Sequence, residues 1–187
     1  ISITICNLPI YGTVLHSFRY ASFQVLTAVS TTGFSTDDFN LWPTFSKCVL
    51  VILMFLGASA GSTGGGIKTA RIIIMFKAVG REIRRLLHPR SVSVVKLEGK
   101  TVDQAVIHGT SVYLIAYMGI LTLSILIISI NGFDLVTTIT SVIACFNNIG
   151  PGLGMVGPTG NFADFSDFSK LVLSLDMLIG RLEIFPI

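Results

Sequence analysis

DLVTTITSVIACFNNIGPGLG, residues 134–154, is the stretch that decides the fold. Its first part, Asp134–Phe146, is apolar and threonine-rich, and as a helix it would be about 20 Å long. A hydrocarbon core is about 30 Å thick, so this helix is too short to span it. The run Asn147-Asn148-Ile149-Gly150-Pro151-Gly152-Leu153-Gly154 follows at once, and amides, glycines and a proline do not continue a helix. The two parts together predict a half-membrane helix that turns back through an irregular strand. Such backbone survives at membrane depth only where it is buried in protein or faces water. Asp134 offers the helix an N-cap oxygen and a negative charge near the positive end of its dipole.

The surroundings fit a membrane chain. Immediately before lies Ala105–Ile130, twenty-six residues without Asp, Glu, Lys or Arg, closed by the turn signal Asn131-Gly132. The chain is 51% hydrophobic and 12% charged, with a mean hydropathy of +0.78, against roughly 25% charged for a soluble domain. Composition disfavours water as the main solvent, a buried helix of a large soluble core being the competing reading of the uncharged run, and the fold class expected is an all-α membrane protein. Nine of the thirteen basic residues (Lys68, Arg71, Lys77, Arg81, Arg84, Arg85, Arg90, Lys96 and Lys100) share one stretch opposed only by Glu82 and Glu98. The positive-inside rule makes that stretch cytoplasmic. Phe45–Arg71 then descends from outside, Ala105–Ile130 climbs back, and Asn131 to about Asp167 is external. The basic stretch lacks the interleaved aromatics of a nucleic-acid surface, so no nucleic acid is expected; anionic lipid headgroups suit it. Both chain ends read as cuts through helices. Cys6, Cys48 and Cys145 have no metal-ligand spacing and read as packing residues.

The same grammar occurs earlier. Ser17–Val29 is a short helical candidate, followed by Ser30-Thr31-Thr32-Gly33-Phe34-Ser35 and a descending helix. Phe45-Ser46-Lys47 and Phe168-Ser169-Lys170 open the two descents 123 residues apart, whereas Gly33 and Gly150 are 117 apart. The chain is therefore expected to hold an internal repeat whose second outer segment is six residues longer. Repeats of this scale are common in transport proteins, with the pathway between them.

Two loops dipping from one face, each with a glycine after a polar stretch, have the ingredients of a selectivity filter. A dehydrated cation needs several oxygen ligands, and backbone carbonyls supply them without adding charge. Ser30, Thr31, Thr32 and Gly33, with Asn147, Asn148, Ile149 and Gly150, are the candidate filter. Thr31, Thr32, Asn148 and Ile149 are the expected ligands of the cation. Gly33 and Gly150 permit the positive φ that turns successive carbonyls to one axis. Asp37, Asp38, Asp134, Asp164 and Asp167 fall on the outer side, where they would concentrate cations. The cation is cargo, and no tightly bound cofactor is expected.

Within the first descent, Gly57–Gly66 has five glycines in ten residues, which no uninterrupted helix tolerates. Gly61, Ser62, Thr63, Gly64, Gly65 and Gly66 are expected to form a flexible loop under the filter that obstructs or clears the passage. A phosphate-binding loop fails on spacing, because Ile67 intervenes before Lys68, and on context, because a membrane helix precedes it. No catalytic carboxylate stands at suitable spacing, so no enzyme is expected. Arg181 lies eleven residues after Lys170, as Ala58 lies after Lys47, which places a full charge near mid-bilayer level with the glycine loop. A charge at that depth is costly and reads as functional, here as part of the gate; pairing with Glu183 or Asp176 is the structural alternative.

These segments, together with His88-Pro89-Arg90 and Gly180-Arg181-Leu182-Glu183-Ile184-Phe185, closely resemble the TrkH/TrkG/KtrB family of bacterial K⁺ transporters, and its TrkH branch in particular, over nearly the whole chain. The resemblance implies four units of outer helix, pore helix, filter loop and inner helix around one pore. Residues 1–100 would be the third unit, truncated at its start, with the broken inner helix and the cytoplasmic basic segment. Residues 101–187 would be the fourth, truncated at its end. It also implies that Gly33 and Gly150 match the filter glycines, that Gly61–Gly66 matches an intramembrane gating loop, and that Arg181 matches an arginine beneath the filter. A homodimer in a bacterial inner membrane, multi-pass, meeting a cytoplasmic nucleotide-binding regulatory subunit of the TrkA type, is implied as well. Asn147-Asn148-Ile149-Gly150-Pro151 departs from the first loop in lacking Thr before glycine, so sharp K⁺/Na⁺ discrimination is not expected. A non-conducting membrane receptor or assembly subunit is the alternative.

Overall fold

The computed structural model describes residues 1–57, 65–88, 95–97 and 100–182. The chain is helical: α1 (Ser2–Cys6), α2 (Leu8–Tyr11), α3 (Val14–Val29), α4 (Thr44–Phe55), α5 (Thr69–Leu87), α6 (Gln104–Ser129), α7 (Leu135–Phe146) and α8 (Asp167–Leu182). Single 3-10 turns sit at Phe39–Leu41 and Gly154–Val156. Of the described residues, only α6 forms a helix long and apolar enough to cross a membrane, by length and composition. It matches the uncharged run, and the Asp103 side chain caps its start by accepting from the Ala105 amide at 3.4 Å.

The descent from Phe45 to Arg71 is broken, as its five glycines lead one to expect. α4 stops at Phe55, and the chain runs extended as β1 (Leu56–Gly57) beside β2 (Ile67–Lys68), paired in parallel with Leu56 opposite Ile67. Thr69 donates its hydroxyl to the Gly57 carbonyl at 3.0 Å. The glycine-rich segment thus leaves and re-enters through one hydrogen-bonded neck. Sequence patterning missed this neck because two-residue strands carry no periodicity. A second such pair, β3 (Lys96–Leu97) with β4 (Lys100–Thr101), is antiparallel and lies before α6.

α7 is the hub. It packs against α8, α6 and α4, and nine of its twelve residues are buried, so it is wrapped by protein on nearly every side. Tyr117, Leu121 and Ile128 of α6 and Leu173 of α8 close the core around Val142, Ile143 and Phe146. The outward residues Ile115, Leu123 and Leu126 of α6 are largely exposed, an apolar surface that lipid tolerates. Where lipid is as apolar as leucine, packing and interhelical hydrogen bonds hold helices together. Ser46 donates to Asn7 Oδ1 at 2.8 Å, Asn131 Nδ2 to Ser169 Oγ at 2.6 Å, and Ser124 to Asp176 Oδ1 at 2.8 Å. Each is worth about 1 kcal/mol in such a setting.

Contacts recur at fixed spacing on the outer side. Lys47 Nζ donates to the Asn40 carbonyl at 3.0 Å, and Lys170 Nζ, 123 residues later, to the Ala163 carbonyl at 2.8 Å. Asp38 Oδ1 accepts from the Asn40 amide, and Asn161 Oδ1 from the Ala163 amide, at the same offset. Phe39 packs near Trp42 as Phe162 packs near Phe165. The cysteines are all free, with Cys145 buried but Cys48 exposed, so packing accounts for the former and not the latter.

Candidate functional site

α3 and α7 end alike. The Thr32 amide reaches back to the Thr27 carbonyl at 3.0 Å and the Thr31 amide to Ala28 at 3.4 Å. In α7 the Ile149 amide bonds Ala144 at 2.9 Å and the Asn148 amide bonds Cys145 at 3.0 Å. Each pair is a Schellman cap, which satisfies carbonyls a helix end would leave open. Its left-handed residue is Thr31, at φ 54°, and Asn148, at φ 55°, followed two residues later by Gly33 at φ 80° and Gly150 at φ 105°. The four positive angles fall in two sets 117 residues apart. Asn accepts the left-handed region readily, whereas β-branched Thr is strained there. The predicted glycine positions therefore do have the backbone that needs glycine; the Thr31 and Asn148 turns had no sequence signal of their own.

The two turns meet. A Cβ on Gly33 would collide with the Ile149 carbonyl oxygen and stand 3.6 Å from Pro151 Cδ. Gly150 faces open space on its Cβ side, and it is exposed. Ser30 and Thr32, also exposed, share a hydroxyl–hydroxyl bond of 2.7 Å. Asn147 and Ile149 are buried, with Asn148 and Thr31 between these extremes. The return limb after Gly150 is tied to α7 by the helix's own threonines. Thr140 Oγ1 accepts from the Leu153 amide at 2.9 Å, and Thr137 Oγ1 from the Met155 amide at 3.1 Å. The Thr137 and Thr140 hydroxyls thus satisfy irregular backbone that lipid could not.

Under the second turn lie the two candidate gating elements. A Cβ on Gly65 would collide with the Asn147 carbonyl oxygen, and one on Gly66, whose φ is 81°, would stand 3.3 Å from Asn147 Oδ1. Gly61, Ser62, Thr63 and Gly64 lie outside the described residues. From the other side, a Cβ on Gly180 would collide with the Phe146 carbonyl oxygen, and Asn148 Nδ2 donates to the Met177 carbonyl at 3.1 Å. α8 therefore runs directly past the turn, and Arg181, next to Gly180, is exposed. Sequence spacing had placed Arg181 level with the start of the glycine segment; the structure brings its neighbour and the far end of that segment, Gly65–Gly66, against one turn.

The outer acidic residues are mostly committed elsewhere. Asp37 accepts from the Tyr11 hydroxyl and from Trp42 Nε1, the latter at 3.2 Å. Asp38 caps the 3-10 turn at Phe39. Asp134 caps α7 as expected, accepting from the Thr137 amide at 3.2 Å. Hydrogen bonding from the Thr137 side chain, then from nearby backbone amides, holds the Asp134 carboxyl below its ordinary value. Asp164 and Asp167 stay exposed, with Asp167 3.9 Å from Lys170. Among the described residues no group of His, Cys, Asp and Glu side chains is arranged to hold a metal ion.

Comparison with known proteins accords with this geometry. The profile of the TrkH family, described as a cation transport protein, matches residues 13–187. The chain is 38% identical over 190 residues to the Trk system potassium uptake protein TrkH of Salmonella typhimurium, covering 99% of this chain and 39% of that one. Against TrkG of Escherichia coli identity is 34% over 178 residues, covering 95% and 36%. The crystal structure of the potassium transporter TrkH from Vibrio parahaemolyticus superposes with a TM-score of 0.89 at 36% identity, over 98% of this chain and 39% of that chain. The chain spans about two fifths of the length of these relatives. They are transporters and not enzymes, and the chain belongs to the TrkH family of cation transport proteins.

Proposed function

We propose that this chain is the C-terminal part of a potassium uptake protein of a bacterial inner membrane, in which K⁺ passes a filter built from re-entrant loops. Backbone oxygens of Ser30–Gly33 and Asn147–Gly150 contribute two of the filter's sides, with Thr31, Thr32, Asn148 and Ile149 as the ion's ligands. The observation that carries this reading is the meeting of the two turns, Gly33 against the Ile149 carbonyl, with matched left-handed residues on both. Residues 1–100 and 101–187 are then two consecutive units of outer helix, pore helix, filter loop and inner helix, the last two of four. The glycine segment Gly61–Gly66 and Arg181 gate the passage below the filter. Support for the gate is the contact of Gly65–Gly66 with Asn147 and of Gly180 with Phe146. A homodimer and a cytoplasmic nucleotide-binding partner complete the assembly, with the basic stretch 68–100 near that contact. The relatives' names, which specify potassium uptake, favour conduction over a non-conducting receptor.

Gly150→Ser in the intact protein tests the filter. Its φ of 105° is one that serine resists, so the turn must rearrange even though the space beside it is open. In liposomes, the competition of Na⁺ against Rb⁺ uptake is expected to change. Identical competition curves for the two proteins would remove Gly150 from the filter.

A further inference from the structure

Among the described residues Asp176 is the one buried carboxyl, and neither the filter nor the gate uses it. It lies in α8, nine residues past Asp167, and is 3% exposed. Its Oδ1 is 2.8 Å from Ser124 Oγ of α6, and both side chains are buried. Its Oδ2 is buried with no hydrogen-bond partner. Of the described ion pairs, Arg81–Glu82 and Lys170–Asp167, neither includes it. The titratable group facing it from α7 is the buried Cys145 thiol, which lies within electrostatic reach. On α6 the nearest such group on the Ser124 face is Tyr117, two turns below, and its hydroxyl donates to Asn147 Oδ1 at 2.6 Å. On α8 itself, Lys170 donates to the Ala163 carbonyl and Arg181 is exposed. Leu121, Ile128, Val142 and Leu173 fill the core that these three helices share.

A carboxylate in this place would hold a full negative charge in an apolar core on a single hydrogen bond. Buried charges without a cation avoid that cost by neutralising. The neutral acid fits the same heavy atoms, because a hydroxyl pair can be read in either direction. The acid proton then sits on Oδ1 and is donated to Ser124 Oγ. Oδ2 becomes a carbonyl oxygen, whose missing donor costs much less than that of a charged group. We propose that Asp176 is a proton-binding site of the folded protein, carried as a neutral acid that donates to Ser124 and ties α8 to α6.

The position of the site gives its proton a consequence for transport. Met177, the next residue, offers its carbonyl to Asn148 Nδ2 at 3.1 Å, and an added Cβ at Gly180, one turn on, would collide with the Phe146 carbonyl oxygen. Ionisation replaces the acid–serine bond with a buried charge, which draws this part of α8 toward water and loosens its seat against the second turn. This consequence rests on the reading of 147–150 as filter; the proton site does not.

Infrared spectra of the intact protein in liposomes at neutral pH read the proton without any transport. Subtracting the Asp176→Asn spectrum from that of the parent is expected to leave the C=O stretch of a neutral carboxylic acid and no carboxylate bands. The same acid band should shift in Ser124→Ala, which removes its acceptor, so the result does not hang on how well Asp176→Asn folds. Carboxylate bands in the first difference, or an acid band indifferent to Ser124→Ala, overturn the proposal. Rb⁺ uptake by the parent is then expected to fall about fivefold as alkaline pH removes the proton, at the lower end of couplings between sites. Asp176→Asn is neutral, of the same shape and without a proton to lose, so its uptake should stay flat over the same range. Parallel pH profiles for the two proteins would overturn the link to transport. If Gly150→Ser leaves ion preference unchanged, the filter reading falls while the infrared result stands by itself.

Discussion

Asn40 lays its side-chain amide edge along the backbone of Gly154, donating to the Gly154 carbonyl at 3.2 Å and accepting from the Gly154 amide at 2.9 Å. A Cβ on Gly157 would collide with Asn40 Nδ2, so a second glycine makes room for the clamp. One side chain thus joins the segment after the first turn to the return limb of the second. Asn40→Ala removes both bonds, each worth about 1 kcal/mol. Because Gly154 is exposed and water can replace the partner, the expected loss of stability is about 1–2 kcal/mol. Asn40→Asp keeps the acceptor and should fall between the two. Thermal unfolding in detergent measures this, and equal melting temperatures for all three proteins would mean that the clamp holds nothing.

Thr31 occupies φ 54° where Asn148, at the corresponding place in the second turn, occupies φ 55°. The left-handed region costs a β-branched residue about 1–2 kcal/mol and asparagine less. Thr31→Asn is therefore expected to raise stability by about 1 kcal/mol. The proposed ligand at this position is a main-chain oxygen, which the substitution leaves in place, so Rb⁺ over Na⁺ preference should hold. A stabilised variant with lost preference would show that the Thr31 hydroxyl, not its carbonyl, faces the ion.

Arg181 puts a full positive charge beside Gly180, where an added Cβ would collide with the Phe146 carbonyl oxygen at the base of the second turn. A cation entering that space meets electrostatic repulsion. Arg181→Ala is expected to raise Rb⁺ flux through the intact protein several-fold, with Arg181→Lys staying near the parent. Flux that is unchanged or lower in Arg181→Ala counts against a role in closing the passage.

Asp134 links folding to pH. Its carboxyl, held below the ordinary value of 3.8 by hydrogen bonds in the folded chain, contributes stability that is present above 3.8. That contribution is lost as pH falls from there through the lower folded value. Asp134→Asn cannot titrate, so the melting temperatures of parent and variant should converge on acidification through this window. A gap that stays constant from neutral pH to below 3.8 would show that the cap bond does not depend on the charge.

The short apolar helix α7, the uncharged run of α6, the end of α4 before the glycines and the corresponding positive φ of Gly33 and Gly150 were all legible in the residues. Each rests on local chemistry: a helix too short for lipid, a run without charge, glycines that no helix keeps, a motif met twice. Legible for the same reason was the Asp134 cap, which needs only an acceptor before an apolar run.

Asn40, Tyr117 and the neck between Leu56–Gly57 and Ile67–Lys68 were not legible, because nothing near them in the chain marks them. Asn40 finds its partner 114 residues away and Tyr117 finds Asn147 across 30 residues. Three of the five outer aspartates serve caps or the Tyr11–Trp42 cluster once the chain is folded, a role that the sequence marked only for Asp134. Hydrophobic pattern and turn chemistry by themselves determined which segments form apolar helices and where they turn. Only the tertiary structure decided which carbonyl meets which turn, because a buried polar atom is satisfied by whatever the fold brings near it, at any distance along the chain.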